Sequence, residues 1–190
     1  MRFIIEPEIG KWHWVRKYKY VKFLLSCIDV MPETITTYRK EDIWQLLKEV
    51  HDPEIPVLNI VEMGIVRDVE QNDEKIIVNI TPTYSGCPAM YAIENEIRLK
   101  LADNGIEKAR VKKDFSEPWT TDWMTDEAKQ KLNDYGIAPP HPVDLENQEV
   151  ECPYCGSTNT KVESEFGSTP CKAQHFCNDC QEPFEHFKCH

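Results

Sequence analysis

The chain lacks a long apolar run, a surplus of basic residues and internal repeats, and each absence disfavours a class of protein. No stretch of about 18 apolar residues, the length that a membrane-spanning helix requires, occurs in the sequence. The formal net charge of −11 and the pI near 5.0 disfavour a nucleic-acid-binding protein, because phosphate binding needs a basic face. The paired Glu-x-x-His motifs of a di-iron helical bundle are also missing, which argues against a direct oxygenase.

Charge is distributed unevenly along the chain. Residues 1–31 contain six Lys or Arg against three Asp or Glu, a net of +3, so residues 32–190 carry −14. The short apolar stretch before Cys27 faintly resembles a lipoprotein cleavage site, but Lys22 interrupts it and it is too short for a signal peptide. We therefore expect residues 1–31 to be an N-terminal extension, and we favour a start of translation at Met31, with residues 1–30 as upstream sequence read in frame.

Cysteine is concentrated near the C-terminus, where six of the eight cysteines lie in the last forty residues. Four of them form two C-x-x-C pairs, Cys152 with Cys155 and Cys177 with Cys180. Two residues between thiolates let both sulfurs approach one metal ion from a tight turn, so the two pairs predict a closed tetrahedral site for zinc or iron. Residues 151–190 have too small a core to fold alone, so we expect a zinc-ribbon-like module whose folding depends on metal.

Two alternatives for the tail remain open at this stage. The cysteines could form two disulfides in a secreted module, although metal-type spacings without a secretory signal favour the reducing cytoplasm. The remaining tail residues Cys171, Cys189 and His190 are possible additional metal ligands. They could form a second site or replace a ligand of the first, or the thiols could simply pack inside a small module.

From residue 38 onward, the hydrophobic pattern predicts a compact α/β (α+β) domain with a small mixed sheet. Two neighbouring strands form a hairpin, and a strand–helix–strand crossover follows that we expect to be parallel and right-handed. A polar, proline-rich segment without glycine then predicts a semi-rigid linker to the metal module. The predicted ranges are helix 38–50, strands 65–69 and 75–81, helix 89–102, strand 109–115, helix 122–135 and linker 138–150.

Cys87 is the lone cysteine of this domain and lies in the loop Thr81–Pro88, where a strand gives way to a helix. A thiol at a helix N-terminus experiences partial positive charge, which predicts a lowered pKa and a reactive thiolate. It could attack an electrophile or hold a soft metal, or it could be a small buried cap of a tight turn. Asp52, Glu54 and Glu62 are supporting candidates because carboxylate oxygens bind iron, although Asp in such a turn often bonds only backbone amides.

Several segments carry a resemblance to a known family. Asp52–Pro56, Val61–Val66, the loop Thr81–Pro88 and Trp119–Tyr135 resemble the metal–sulfur cluster biosynthesis domain, which recurs in cytosolic and SUF-type iron–sulfur assembly proteins. The resemblance covers residues 38–137. It implies that Cys87 corresponds to the reactive cysteine of that family and binds iron or an iron–sulfur cluster transiently.

Two segments of the tail, Ser164–Ala173 and Glu182–His190, narrow the resemblance. With the preceding domain they resemble the family of accessory D subunits of phenylacetyl-CoA epoxidases, the multicomponent monooxygenases of aerobic phenylacetate breakdown. This implies a role in supplying or maintaining metal centres and not in ring oxidation. The implied partners are the oxygenase subunits, with a carboxylate-bridged di-iron centre, and the iron–sulfur flavin reductase.

Other functional classes are weighed against this interpretation. A thiol enzyme acting through Cys87 lacks an obvious base, since no histidine lies in the same motif. A general iron–sulfur carrier that is not tied to phenylacetate is the other alternative. We expect no nucleic-acid or membrane partner, a structural zinc ion (with iron as the alternative) in the tail, and a cytoplasmic location.

Overall fold

The computed structural model describes residues 38–72, 75–140 and 149–188. The predicted N-terminal extension 1–31, most of the predicted linker, and the candidate ligands Cys189 and His190 lie outside these residues. The elements in chain order are α1 (Lys40–Leu47), β1 (Val66–Gln71), β2 (Ile76–Ile80), α2 (Ala89–Asp103), β3 (Arg110–Lys113), α3 (Asp126–Asp134), β4 (Ile137–Ala138), β5 (Thr160–Ser164), β6 (Lys172–Cys177) and β7 (Pro183–Phe187). A single 3-10 turn at Thr121–Trp123 precedes α3.

The first sheet has the strand order β1-β2-β3. Strands β1 and β2 are antiparallel and β2 and β3 are parallel, so the predicted hairpin and the predicted parallel crossover through α2 are both confirmed. A register shift between Val66 and Asp68 interrupts the alternation of β1. Such a bulge re-aims the side chains beyond it, and it leaves both Val66 and Val69 buried although they are three residues apart.

Each helix buries one apolar stripe. Buried Ile43 and Leu47 are four residues apart on α1, the spacing of one helix face. Helix α1 begins after Arg39, which pairs with Asp42 through its backbone amide and its guanidinium. Helix α3 begins where Thr125 Oγ1 accepts a hydrogen bond from the amide of Ala128 at 3.1 Å. We refer to residues 38–136 as the α/β module.

The second sheet has the strand order β4-β7-β6-β5. Strands β5, β6 and β7 form an antiparallel meander, and β4 adds to β7 in parallel. We refer to residues 149–188 as the ribbon. Strand β4 follows α3 directly in the chain and pairs with β7 of the ribbon. Ala138, the first residue of the predicted linker, is therefore a strand residue and not part of a linker.

The ribbon packs against the α/β module. Phe187 of β7 is buried in the same hydrophobic cluster as the residues of α1 and α2. Its ring meets that of Trp119 edge-on, with the ring centroids 6.1 Å apart. Trp119 is itself buried and its indole N–H donates to the carbonyl of Met63 at 3.0 Å.

None of the helices in the described ranges is long and apolar enough to cross a membrane.

Candidate functional site

Four cysteines of the ribbon converge on one point. The sulfur atoms of Cys152, Cys155, Cys177 and Cys180 all lie within 4.8 Å of one another. The sulfur pairs Cys152–Cys180 and Cys155–Cys177 are each 3.6 Å apart. That separation is far longer than a disulfide bond of about 2.0 Å and close to the ~3.8 Å edge of a tetrahedron whose metal–sulfur bonds are about 2.3 Å. The four residues therefore fit one tetrahedral metal ion and not two disulfides.

Both C-x-x-C turns have the same backbone geometry. The amide of Gly156 donates to the carbonyl of Cys152 at 2.8 Å, and the amide of Gln181 donates to the carbonyl of Cys177 at 3.0 Å. The residue that closes each turn has a positive φ, +73° at Gly156 and +62° at Gln181. Glycine adopts this conformation freely, whereas a residue with a Cβ does so at a cost. Two equivalent turns thus present one sulfur pair each.

Polar contacts hold the two turns together. Asp179 accepts a hydrogen bond from the hydroxyl of Ser157 and another, at 2.8 Å, from the side-chain amide of Asn159. The backbone amide of Asn178 donates to the carbonyl of Asn159 at 2.9 Å. Contacts of this kind beside a ligand set orient the ligands and maintain their spacing.

The electrostatics of the four thiols favour a bound cation. The backbone amide of Cys180, assisted by that of Asp179, lowers the pKa of the Cys177 thiol to about 7. The amide of Glu182 lowers the pKa of Cys180, but burial and the neighbouring cysteines outweigh it and raise this pKa to about 12. One thiolate therefore forms readily and suppresses ionisation of the next. A divalent cation removes this repulsion when all four thiols lose their protons.

Cys171 does not join this group. Its sulfur lies 3.1 Å from Oγ1 of Thr169 and 3.8 Å from Oε2 of Glu54 in the α/β module. The thiol is buried, and burial raises its pKa to about 11. Of the three possible additional ligands, Cys171 is therefore found beside the α/β module, while Cys189 and His190 lie outside the described residues.

Cys87 lies immediately before α2, in the loop that follows β2. Its amide donates to the carbonyl of Tyr84 at 3.2 Å, and its carbonyl accepts from the amide of Met90 at 3.3 Å. The backbone amides of Ala89 and Met90 and the hydroxyl of Thr83 act on its sulfur and favour the thiolate. This confirms the predicted position of the half-buried thiol at the N-terminus of a helix.

The predicted lowering of the Cys87 pKa is wrong. Burial raises the pKa of this thiol and outweighs the amides at the start of α2, and the carboxylate of Glu54 raises it further. The helix terminus stabilises a thiolate, but removing the sulfur from water destabilises the thiolate more. Cys87 is therefore a neutral thiol at pH 7 in the absence of a bound cation.

Of the three carboxylates proposed to support Cys87, Asp52 and Glu54 lie in one turn. Asp52 is buried, and its Oδ1 accepts hydrogen bonds from the amides of Glu54 at 2.7 Å and Ile55 at 2.9 Å. This is the turn-forming role that was the alternative interpretation. Burial raises the pKa of both carboxyl groups. Glu54 is the one whose charge acts on both Cys87 and Cys171.

Glu62, the third carboxylate, makes a different set of contacts. Its Oε1 accepts a hydrogen bond from the amide of Asn59 at 2.8 Å, and its Oε2 lies 2.6 Å from the ammonium of Lys131. The ion pair joins the turn before β1 to α3. These contacts connect two elements of the α/β module.

Sequence reasoning missed two residues near these thiols. Lys172 is buried, and its ammonium lies 3.0 Å from Oε2 of Glu185. Burial of the Tyr84 hydroxyl, together with the charges of Cys87, Glu54 and Cys171, raises its pKa to about 12. Neither residue carries a sequence signal, because a lysine or a tyrosine is buried only by segments that the fold brings over it.

Comparison with known families divides the chain in a similar way. Residues 40–112 match the family described as iron–sulfur cluster assembly protein. Residues 137–188 match the PaaD zinc beta ribbon domain. The first match contains Cys87 and Glu54, and the second contains the four clustered cysteines and Cys171.

Two solved structures are similar to about half of the chain. A domain of unknown function, DUF59, from Bacillus anthracis is 28% identical, covers 49% of this chain and 90% of its own, and has a TM-score of 0.46. A conserved hypothetical protein from Thermotoga maritima is 30% identical, covers 50% of this chain and 94% of its own, and has a TM-score of 0.44.

Curated relatives match either most of the chain or about half of it. The iron–sulfur (Fe-S) protein maturation auxiliary factor of Porphyromonas gingivalis is 34% identical over 49% of this chain and 90% of its own length. The corresponding factor YitW of Bacillus subtilis is 36% identical over 49% of this chain and 92% of its own length. The D subunit of 1,2-phenylacetyl-CoA epoxidase from Escherichia coli K12 is 45% identical over 82% of this chain and 96% of its own length. The chain therefore belongs to the family of the D subunits of 1,2-phenylacetyl-CoA epoxidase.

Proposed function

We propose that this protein assembles or maintains the iron and iron–sulfur centres of phenylacetyl-CoA epoxidase, the ring-epoxidising monooxygenase of aerobic phenylacetate catabolism. It acts as an accessory protein and takes no catalytic part in ring oxidation. Its clients are the oxygenase subunits, which hold a di-iron centre, and the iron–sulfur reductase. The observation that carries the proposal is the half-buried thiol of Cys87, on which the carboxylate of Glu54 acts electrostatically. Both residues lie in the part of the chain that matches iron–sulfur assembly proteins.

The cargo is iron or an iron–sulfur cluster, bound transiently through Cys87. The thiol is a soft ligand and Glu54 adds a hard oxygen, a combination that suits iron. Burial keeps the Cys87 thiol neutral in the absence of metal. When Fe²⁺ binds, the thiol releases its proton and the sulfur binds the metal as a thiolate. Such a site holds metal less tightly than a closed set of four thiolates and can release it to a client.

The four-cysteine group has a different role in this proposal. A closed tetrahedral set of thiolates leaves no open position for exchange and is typical of structural zinc. Zinc, or iron as the alternative, would hold the two C-x-x-C turns together and keep the ribbon folded. The ribbon in turn packs Phe187 against Trp119 of the α/β module.

The thiol-enzyme alternative is less well supported. A nucleophilic cysteine needs a lowered pKa or an adjacent base, whereas burial raises the pKa of Cys87. Within the described residues, the groups that act most strongly on this thiol are Ala89, Glu54, Thr83 and Met90, and none of these is an imidazole base. A general iron–sulfur carrier without a dedicated client remains the second candidate.

Reconstitution separates maturation from catalysis. Oxygenase and reductase purified from cells that lack this chain should contain too little iron and should turn over slowly. The same subunits, reconstituted anaerobically with iron and sulfide, should then oxidise phenylacetyl-CoA at full rate with none of this protein added. A requirement for stoichiometric amounts of the chain after full metallation would contradict the maturation role.

A further inference from the structure

We propose that Cys171 of the ribbon and Cys87 of the α/β module bind one thiophilic divalent cation jointly, with Glu54 as a third ligand. This inference rests on the proposed role of Cys87 as a cargo ligand, and it places the cargo between the two modules. The ribbon then supplies a sulfur to the site in addition to stabilising the fold.

The position of Cys171 is the first argument. The residue immediately precedes β6, and its carbonyl accepts a hydrogen bond from the amide of Lys188 at 2.9 Å, just beyond the end of β7. The backbone is therefore held by both strands while the side chain is directed away from the four-cysteine group. The sulfur instead faces Glu54 across the module boundary, 3.8 Å from its Oε2.

Two side chains connect this sulfur with Cys87. The carboxylate of Glu54 acts electrostatically on both thiols. Tyr84 and Cys87 both pack against the hydrophobic cluster that contains Cys171, and Cys87, Glu54 and Cys171 all act electrostatically on the Tyr84 hydroxyl. Glu54 and Tyr84 therefore lie within electrostatic range of both thiols, although Cys87 and Cys171 are 84 positions apart in the chain.

Charge makes the cluster suitable for a cation. Asp52 and Glu54 bring two carboxylates, while the ammonium of Lys172 is paired with Glu185 at 3.0 Å. When a dication binds both sulfurs, the two thiols release their protons to water. The products of M²⁺ and two thiols are therefore a neutral metal dithiolate and two H⁺. Glu54 can then complete the ligand set by rotating its side chain, since it is only half-buried.

The looseness of this cluster matches a transient site. Among the described residues, the four ribbon cysteines form a group whose ligand atoms all lie within 4.8 Å of one another. Cys87, Cys171 and Glu54 do not form such a group. The Cys87–Cys171–Glu54 cluster must therefore close around its ion, which weakens binding relative to a preformed cage. Because one sulfur comes from each module, a small shift of the ribbon would open the site and release the ion.

Cobalt provides a direct test. The full chain with zinc retained in the four-cysteine group is titrated anaerobically with Co²⁺, and X-ray absorption at the cobalt edge counts the sulfur ligands. We expect one bound cobalt with two sulfurs in the wild type, and one sulfur in both Cys171→Ser and Cys87→Ser. Affinity for Co²⁺ should fall by about tenfold or more in each variant, and Glu54→Gln should weaken binding without changing the sulfur count.

The controls make each outcome decisive. Glu163→Gln removes an exposed carboxylate of β5 and should bind Co²⁺ like the wild type. Zinc content and protease resistance of residues 149–188 report whether each variant keeps the ribbon folded, and Cys171→Ala serves as a second substitution. The wild-type sulfur count decides the matter even if the Cys171 variants unfold.

A single sulfur that is lost in Cys87→Ser but kept in Cys171→Ser would overturn the shared site and leave the proposed function intact. Cobalt that exchanges into the four-cysteine group is recognised by its four sulfur ligands and by the loss of zinc. If all bound cobalt is of this kind, the shared site is also overturned. Two sulfurs in the wild type, combined with clients that are fully metallated in cells without this chain, would support the site and contradict the proposed function.

Discussion

Burial governs the chemistry of Cys87 more than its place at a helix terminus does. Because burial raises the pKa of this thiol, its thiolate fraction at neutral pH is smaller than that of a free cysteine, whose pKa is about 8.5. We expect iodoacetamide to alkylate Cys87 more slowly than a small thiol at pH 7.5, and the rate to go on rising well above the ordinary cysteine pKa. Mass spectrometry of the zinc-loaded protein measures the rate at this residue, and a plateau already reached at pH 7 would contradict the prediction.

The two residues that close the C-x-x-C turns should respond to substitution in opposite directions. Gly156 has φ +73° with no atom within 4 Å of a Cβ built there, so Gly156→Ala should cost about 1–2 kcal/mol through backbone strain alone. Gln181 has φ +62°, and Gln181→Gly relieves that strain, although the more flexible unfolded chain offsets part of the gain. Chemical unfolding of the zinc-loaded protein measures both changes. Equal destabilisation by both variants would show that φ does not control these turns.

At the level of elements, the ribbon depends on its four thiolates. Cys155→Ser removes one ligand of the group, and structural zinc contributes about 10–16 kcal/mol of apparent binding energy in small modules. We expect this variant to lose its metal and residues 149–188 to become sensitive to protease. Cys171→Ser is the matched control, because its sulfur lies outside the group, and it should retain the metal. Metal analysis after gel filtration distinguishes the two, and full metal content in Cys155→Ser would refute the assignment.

The contribution of the contact between the ribbon and the α/β module to the free energy of unfolding should be measurable by removing the ring of Phe187. Phe187 is buried against Trp119, so Phe187→Ala should cost about 3–5 kcal/mol and shift the tryptophan fluorescence of the protein to longer wavelength. Phe166, in the same ribbon, is 67% exposed, and Phe166→Ala should change the free energy of unfolding by about 0.5 kcal/mol or less. Equal effects of the two substitutions would mean that the ribbon contributes no packing to the module.

At the scale of the whole molecule, Cys87 is expected to matter for the clients more than for the fold. Serine caps helices well, so Cys87→Ser should alter the free energy of unfolding by less than about 1 kcal/mol. Cells carrying this variant should nevertheless grow poorly on phenylacetate, and their oxygenase and reductase should contain less iron than in cells with Glu163→Gln. Iron content of the purified subunits is the measurement. Normal growth with fully metallated subunits would remove Cys87 from the proposed role.

The sequence by itself determined the local elements and the metal group. Apolar residues at helical spacing indicated α1 and α2, alternation indicated the β1–β2 hairpin, and the strand–helix–strand order indicated the parallel crossover. Each signal comes from residues that are adjacent or nearly so, and the C-x-x-C spacing likewise sets its two sulfurs through one turn. The boundaries were less exact: helix α1 ends at Leu47 and not at Val50, because the following turn takes over its last carbonyls.

Only the tertiary structure decided the electrostatics and the surroundings of the thiols. The contact between Cys171 and Glu54 joins residues 117 positions apart, and no local pattern encodes such a distance. The same holds for the burial that raises the pKa of Cys87 and for the packing of Phe187 into the main core. Desolvation and charge proximity depend on which distant segments pack together, whereas secondary structure and ligand spacing depend on neighbours in the chain.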